Sequence, residues 1–261
     1  MNESPVRIER RGRAALLTID RPARMNSLSR STLTAFGRAG QSLGQASDLR
    51  AIVVTGAGDR AFCAGADLKE RQTMSVEQVR TQLAQYRADL GWISQSAVPV
   101  VAAINGAALG GGLELALMCH LRVAVHHATF ALPETGLGII PGAGGTQRLP
   151  HLIGAARAAE LILLGRRLDA AEAAAFGLVN RIAPPEVPVV EDTLAWIEPI
   201  LEGAPLAQTA ALRAITAAAN VSLSRGLELE LDYYETCLRS QDRVEALAAL
   251  AEKRKPKFTG A

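Results

Sequence analysis

The chain has 261 residues, enough to bury one substantial core, so it is neither a linker nor a tail. Its formal net charge is +2, with 49% hydrophobic and 4% aromatic residues, and its positive residues are scattered except in the tail EKRKPKF; that argues against a basic nucleic-acid-binding stripe. The three cysteines, Cys63, Cys119 and Cys237, are odd in number and far apart, which argues against a disulfide framework or a zinc knuckle and points to a reducing compartment.

The opening segment MNESPVRIERRGR is charged rather than apolar. No apolar run reaches the roughly 18 residues needed to span a bilayer, so a cytoplasmic protein without membrane contact is expected. Four short apolar or alternating runs, AALLTID (14–20), AIVVTG (51–56), VVAAIN (100–105) and RVAV (122–125), read as strands. Helical periodicity separates them: residues 29–46 with Ser29 as N-cap, and 75–96 opening on the capping-box pattern SVEQ. From about Leu152 the character changes, with helical patterns at 155–164, 169–176, 191–201, 205–219 and 223–238 and a single strand-like run, LVNRIA (178–183). The expected plan is an α/β body over 1–190 and a helical region over 191–261, with APPEVP (183–188) as the boundary signal. No internal repeat or low-complexity tract interrupts it.

Three stretches could carry chemistry. GAALGGGLE follows the strand VVAAIN, as a nucleotide-binding turn would, but Glu114 sits one turn into the expected helix and would repel phosphates there. No phosphate-loop Lys followed by Ser or Thr is present. The same geometry suits an oxyanion developing on a carbonyl or thioester oxygen, with Glu114 as acid or base on the same substrate; equally, the glycines could serve only helix packing and Glu114 the electrostatics of its first turn. FCAGADLKE (62–70) is a second turn after a strand and could offer a backbone donor near Ala66, or be a turn and nothing more. Within it Cys63 reads as a small buried hydrophobe, with no histidine nearby in sequence. ALPETGLGIIPGAGGTQRLP (131–150) puts Glu134 in apolar, glycine-rich surroundings, where desolvation would raise its pKa and suit it to proton transfer; the alternative is that it caps the following loop. The histidines 120, 126, 127 and 151 lack metal-ligand spacing and read as structural or surface residues, and Arg148 as part of a helix or interface.

In order and spacing, FCAGADLKE, ALGGGLELAL and PETGLGIIPGAGGTQRL resemble the signature blocks of the enoyl-CoA hydratase/isomerase (crotonase) superfamily, over nearly the whole chain. Within it, FCAGADLKER followed by MS, the segment MNSLS and the ending RVEALAALAEKRKPKFTG look like the AU-binding methylglutaconyl-CoA hydratases. The resemblance implies an α/β spiral of ββα units with a C-terminal helical trimerisation region, assembled as a homotrimer or dimer of trimers. It implies an acyl-CoA substrate, with coenzyme A entering as part of that substrate and no cofactor or metal. Ala66 and Gly111 carry over as the oxyanion donors, and Glu114 and Glu134 as the catalytic pair. On this pattern Glu114 orients or deprotonates the water attacking C3 and Glu134 supplies the C2 proton, with dehydration as the reverse.

The subgroup's substrate has a second carboxylate, which calls for a cation, and Lys69 or Arg71 stands just after Ala66; both could also be ordinary surface charges. The resemblance also implies that Ala64, Asp67 and Leu68 share this substrate-binding segment and that Arg24 falls where the family meets the nucleotide end of coenzyme A. Residues 34–50 hold two arginines and no lysine, unlike the lysine-rich helix of the RNA-binding relative, so nucleic acid is not an expected partner. Two further readings stay open: a general short-chain enoyl-CoA hydratase, and an RNA-binding protein of the crotonase fold.

Overall fold

The structure, a computed structural model, describes residues 4–261. The chain enters as strand β1 (Val6–Arg11), exposed and mostly charged beyond Val6, and turns at Gly12 (φ +59°) into β2 (Ala14–Ile19), with which it pairs antiparallel. The charges protect this edge from pairing with another chain. Strands β3 (Ala51–Gly56), β4 (Ala61–Cys63), β5 (Val100–Ile104), β6 (Ala107–Leu109), β7 (Leu121–Ala124), β8 (Thr129–Ala131), β9 (Leu168–Asp169) and β10 (Arg181–Ile182) complete two sheets. One is six-stranded in the order β1-β2-β3-β5-β7-β10, and the other four-stranded in the order β4-β6-β8-β9. β2, β3 and β5 are buried at every residue, as parallel strands covered on both faces should be.

Helices connect these strands. Helix α1 (Arg30–Leu43) follows β2; α2 (Leu68–Arg71), α3 (Val76–Leu90) and α4 (Trp92–Gln95) lie between β4 and β5; α5 (Gly111–Met118) follows β6. After β8 come α6 (Gly145–Ile153) and α7 (Ala155–Leu163), and α8 (Ala170–Ala175) links β9 to β10. The chain ends in α9 (Val189–Trp196), α10 (Glu198–Glu202), α11 (Pro205–Ala218), α12 (Leu223–Leu238) and α13 (Gln241–Ala251). The fold is thus the expected α/β spiral with C-terminal helices. Ser29 caps α1 by accepting from the Thr32 N–H, and Ser75 and Gln78 form the capping box of α3.

Several boundaries differ from the sequence pattern. The run 75–96 divides at Gly91 into α3 and α4, and 191–201 divides at Ile197 into α9 and α10. LVNRIA contracts to Arg181–Ile182, because the Asn180 side chain instead accepts from the Arg122 N–H. β1 was hidden by its charges, and β6, β8 and β9 are too short to show a period.

Alternation along the first sheet sorts its residues to two faces. Leu16, Val53, Val101 and Val123 pack with Val189 and Ile197, so α9 and α10 cover the outer face. Leu17, Val54, Ala102 and Ile104 point the other way, into a core shared with Phe36 of α1, Phe62 of β4 and Phe130 of β8. Truncating one such phenylalanine to Ala costs about 3–5 kcal/mol. By contrast α12 buries no residue, and Leu223 and Leu231 are 79% and 71% exposed. Among the described residues no helix is long and apolar enough to cross a membrane.

Candidate active site

Strands β4, β6 and β8 run parallel and side by side. The chain leaves their C-terminal ends through Ala64–Asp67, Gly110–Glu114 and Leu132–Glu134 respectively. Three segments of interest are therefore set next to one another at the spacing of a sheet, about 4.8 Å per strand.

The first two segments present free backbone donors. Leu28 bridges Ala66 in parallel fashion, donating to the Gly65 carbonyl at 2.7 Å and accepting from the Asp67 N–H at 3.3 Å. Those bonds use the groups on either side of Ala66, so its own N–H points away from Leu28. Gly111 is the first residue of α5, where an N–H has no partner inside the helix. The donors are close: a Cβ built on Gly111 would stand 3.7 Å from the Ala66 nitrogen. Glycine is required around them. Gly65 has φ +82°, and a Cβ there would lie 2.8 Å from both the Gly111 nitrogen and the Leu109 oxygen. At Gly112 a Cβ would meet the Cys63 carbonyl oxygen at 1.9 Å.

Glu114, in the first turn of α5 and 2% exposed, turns its carboxylate to a different element. Its Oε1 accepts from the N–H groups of Ala143 and Gly145, both at 2.7 Å, at the start of α6. Burial raises its pKa, opposed by the backbone N–H groups of Gly145, Ala143, Gly142 and Gly144. Glu134 opens the 3-10 turn Glu134–Leu137 after β8, is 8% exposed, and has a buried Oε2 without a hydrogen-bond partner among the described residues. It lies against the glycine turn: a Cβ on Gly110 would be 2.8 Å from its Oε1. Burial pushes its pKa up to about 7, helped by the charge of Glu114 and opposed by its own N–H and by Arg71. Among the described residues no N–H of the following loop donates to its carboxyl, and of the two acids it is the one that burial brings close to neutrality.

The remaining expected residues divide. Ala64 donates its N–H to the Met25 carbonyl, which ties the turn bearing exposed Arg24 to the rim of this site. Burial works against a charge on Asp67, but Arg21, 2.8 Å away, and the N–H groups of Glu70 and Lys69 outweigh it and lower its pKa. Its carboxylate is thus engaged in holding the Ala66 segment in place. Leu68 and Lys69 are exposed on α2, whereas Arg71 is half-buried and its charge acts on both Glu134 and Tyr86. Cys63 is fully buried, its thiol pushed up to about 12 by desolvation, and packs in the core. His120 is drawn down to about 4 by burial and Arg122, and its Nδ1 accepts from the Val100 N–H.

Sequence reasoning missed the loop that holds Glu114. The loop's donors are backbone groups that any sequence offers, although the glycines of PGAGG were a sign of close approach. Two backbone donors beside one clamped carboxylate and one proton-carrying carboxyl can stabilise an enolate oxygen while moving protons on and off adjacent atoms.

The enoyl-CoA hydratase/isomerase family model matches residues 9–261. The chain is 45% identical over 244 residues to a protein of Arabidopsis thaliana named probable enoyl-CoA hydratase 2, mitochondrial, covering 94% of this chain and 81% of that one. It is 44% identical over 252 residues to the enoyl-CoA isomerase/hydratase fer4 of Mycosarcoma maydis, covering 94% and 92%. The crystal structure of an enoyl-CoA hydratase from Bacillus anthracis superposes with a TM-score of 0.96 at 41% identity, over 98% of this chain and all of that one.

Proposed function

The chain belongs to the enoyl-CoA hydratase/isomerase family, and from that premise we propose that it adds water across the 2,3-double bond of an acyl-CoA thioester and removes it again. The Ala66 and Gly111 N–H groups hold the thioester oxygen. Glu114 takes a proton from the water whose oxygen bonds to C3, the double-bond electrons pass to the thioester oxygen, and the enolate collapses as C2 takes the proton of Glu134. One proton lost by Glu134 and one gained by Glu114 leave the charge of the pair unchanged, and dehydration retraces the path. Coenzyme A takes part only as a portion of the substrate, and no cofactor or metal is needed.

The observation that carries this reading is the unpartnered, buried Oε2 of Glu134, raised to about 7, beside a Glu114 clamped by two N–H groups. The test is the loss of absorbance of a conjugated enoyl thioester with Glu134→Gln and Glu114→Gln proteins. Undiminished hydration in either variant would sink the assignment.

For the acyl group, the proposal is 3-methylglutaconyl-CoA, interconverting with 3-hydroxy-3-methylglutaryl-CoA. It is supported by the charge of Arg71 acting on the site, with Lys69 at the surface. The names of the relatives, hydratase and isomerase/hydratase without a stated acyl group, favour a second reading as a general short-chain hydratase. The ratio of kcat/KM for methylglutaconyl-CoA and crotonyl-CoA, with and without Arg71→Ala, separates them. RNA binding is not part of the proposal: in 34–50, Arg50 is buried and donates to the Ser47 and Leu49 carbonyls, leaving Arg38 exposed. Assembly as a trimer or dimer of trimers is.

A further inference from the structure

The segment RMNSLS (24–29) lies between β2 and α1, and both polar atoms of its asparagine side chain are engaged. Asn26 is 1% exposed; its Oδ1 accepts from the Arg21 N–H at 3.0 Å, and its Nδ2 donates to the Ala57 and Ala61 carbonyls at 2.9 and 2.7 Å. Met25 and Asn26 are both left-handed, with φ +51° and +54°, a conformation that costs a non-glycine residue free energy and persists where surrounding bonds fix it. Asparagine suits the place, because it enters the left-handed region more readily than most residues and its amide supplies donors and an acceptor together. Its surroundings are close: a Cβ on Gly56 would stand 2.5 Å from Asn26 Nδ2.

What this turn supports is the donor segment after β4. Met25 accepts from the Ala64 N–H at 3.0 Å, while Leu28 donates to the Gly65 carbonyl at 2.7 Å and accepts from the Asp67 N–H at 3.3 Å. Arg21 adds a second fastening, donating to the Ser27 carbonyl at 2.6 Å and pairing with Asp67 at 2.8 Å. The sheet alone does little here, because β4 has three residues and its register with β6 shifts between Ala61 and Cys63. The turn therefore grips the backbone on both sides of Ala66 and leaves the Ala66 N–H alone.

We infer that Asn26 is a positioning residue for the reaction, an inference that rests on the reading of Ala66 and Gly111 as the oxyanion donors. Asn26 pins the left-handed turn to the Ala57–Ala61 loop, and the turn holds the Ala66 N–H in line with that of Gly111 as charge develops on the substrate oxygen. Alignment of this kind matters to rate, since a misplacement of about 1 Å can cost about 10²-fold.

Two variants test the pin. Asn26→Gly tolerates φ +54° and deletes the three bonds, whereas Arg21→Met releases the same turn from Ser27 and Asp67 and leaves Asn26 in place. Both are assayed well below their Tm, with circular dichroism reporting the folded fraction, so lost stability does not enter the rates. In each, kcat for hydration of crotonyl-CoA should fall about 10–100-fold, with KM within about threefold of the parent. Acetoacetyl-CoA gives a second readout, because its enolate absorbs in the near ultraviolet where its keto form does not. Each variant should bind that enolate at least about tenfold less tightly, while its affinity for saturated butyryl-CoA changes by less than about threefold. Should Asn26→Gly not fold, Asn26→Asp, which keeps the acceptor for Arg21 and loses the donors, carries the test with Arg21→Met. A kcat within about threefold of the parent in the folded variants, or a loss shared equally by the enolate and butyryl-CoA, overturns the pin. Weakened enolate binding in variants of a parent that hydrates no thioester would strike the proposed reaction and leave the pin standing.

Discussion

Glu114 reaches from the first turns of α5 to the opening residue of α6, accepting the Gly145 N–H at 2.7 Å. One side chain thereby fixes two helices and aims its second oxygen, which accepts no hydrogen bond among the described residues. Glu114→Gln keeps an acceptor for Ala143 and Gly145 if the amide oxygen takes the Oε1 place. Its stability should stay near that of the parent while kcat/KM for hydration falls by about 10²–10⁴. Glu114→Ala strands both donors and should cost about 1–3 kcal/mol in denaturant unfolding as well. Equal stability of the two variants would contradict this clamp.

The proton on the carboxyl pair sets the pH dependence. The proposed hydration needs Glu134 protonated and Glu114 ionised; the proposed dehydration starts from the opposite arrangement of the same single proton. Because net protonation is the same, kcat/KM in both directions should share one bell-shaped profile whose alkaline limb falls near pH 7. In Glu134→Gln that limb should disappear from whatever activity remains. Profiles recorded with enoyl and hydroxyacyl thioesters check it, and limbs that differ between directions would refute it.

The same carboxyl ties stability to pH. Its folded pKa is raised from the ordinary 4.5 to about 7, so its favourable contribution is complete below pH 4.5 and disappears as pH rises through 7. Chemical denaturation at pH 5 and 8 should show the parent losing more stability over that interval than Glu134→Gln does.

Gly65→Ala introduces a Cβ 2.8 Å from the Gly111 nitrogen at a residue with φ +82°. If Ala66 and Gly111 form the proposed oxyanion pair, displacing one donor costs about 10²–10³ in kcat, and the loss should appear in kcat more than in KM. Gly112→Ala meets the Cys63 carbonyl at 1.9 Å and should instead lower Tm, as overpacking does.

The bare leucines of α12 bear on assembly. Leu227→Glu with Leu231→Glu, both exposed in the single chain, should convert a trimer or hexamer measured by light scattering into monomers. An unchanged mass would place the contact elsewhere.

Much of the fold was legible because its signals are local. Ser29 and the Ser75–Gln78 pair announced two helix starts, and β2, β3 and β5 read as strands because parallel strands covered on both faces are continuously apolar. Glu114 and Glu134 stood out as acids in apolar, glycine-rich runs. What held Glu114 did not, since its partners are main-chain groups 29 and 31 residues away.

The placement of Ala66 and Gly111 at the ends of adjacent strands has an evolutionary consequence. Their N–H groups belong to the peptide backbone, so no single replacement other than proline deletes them. The two glutamates are side chains, and one codon change removes either. Under the proposed mechanism, a lineage built on this scaffold could exchange its acid–base chemistry while keeping its grip on the carbonyl, through a substrate handle that mutation rarely touches.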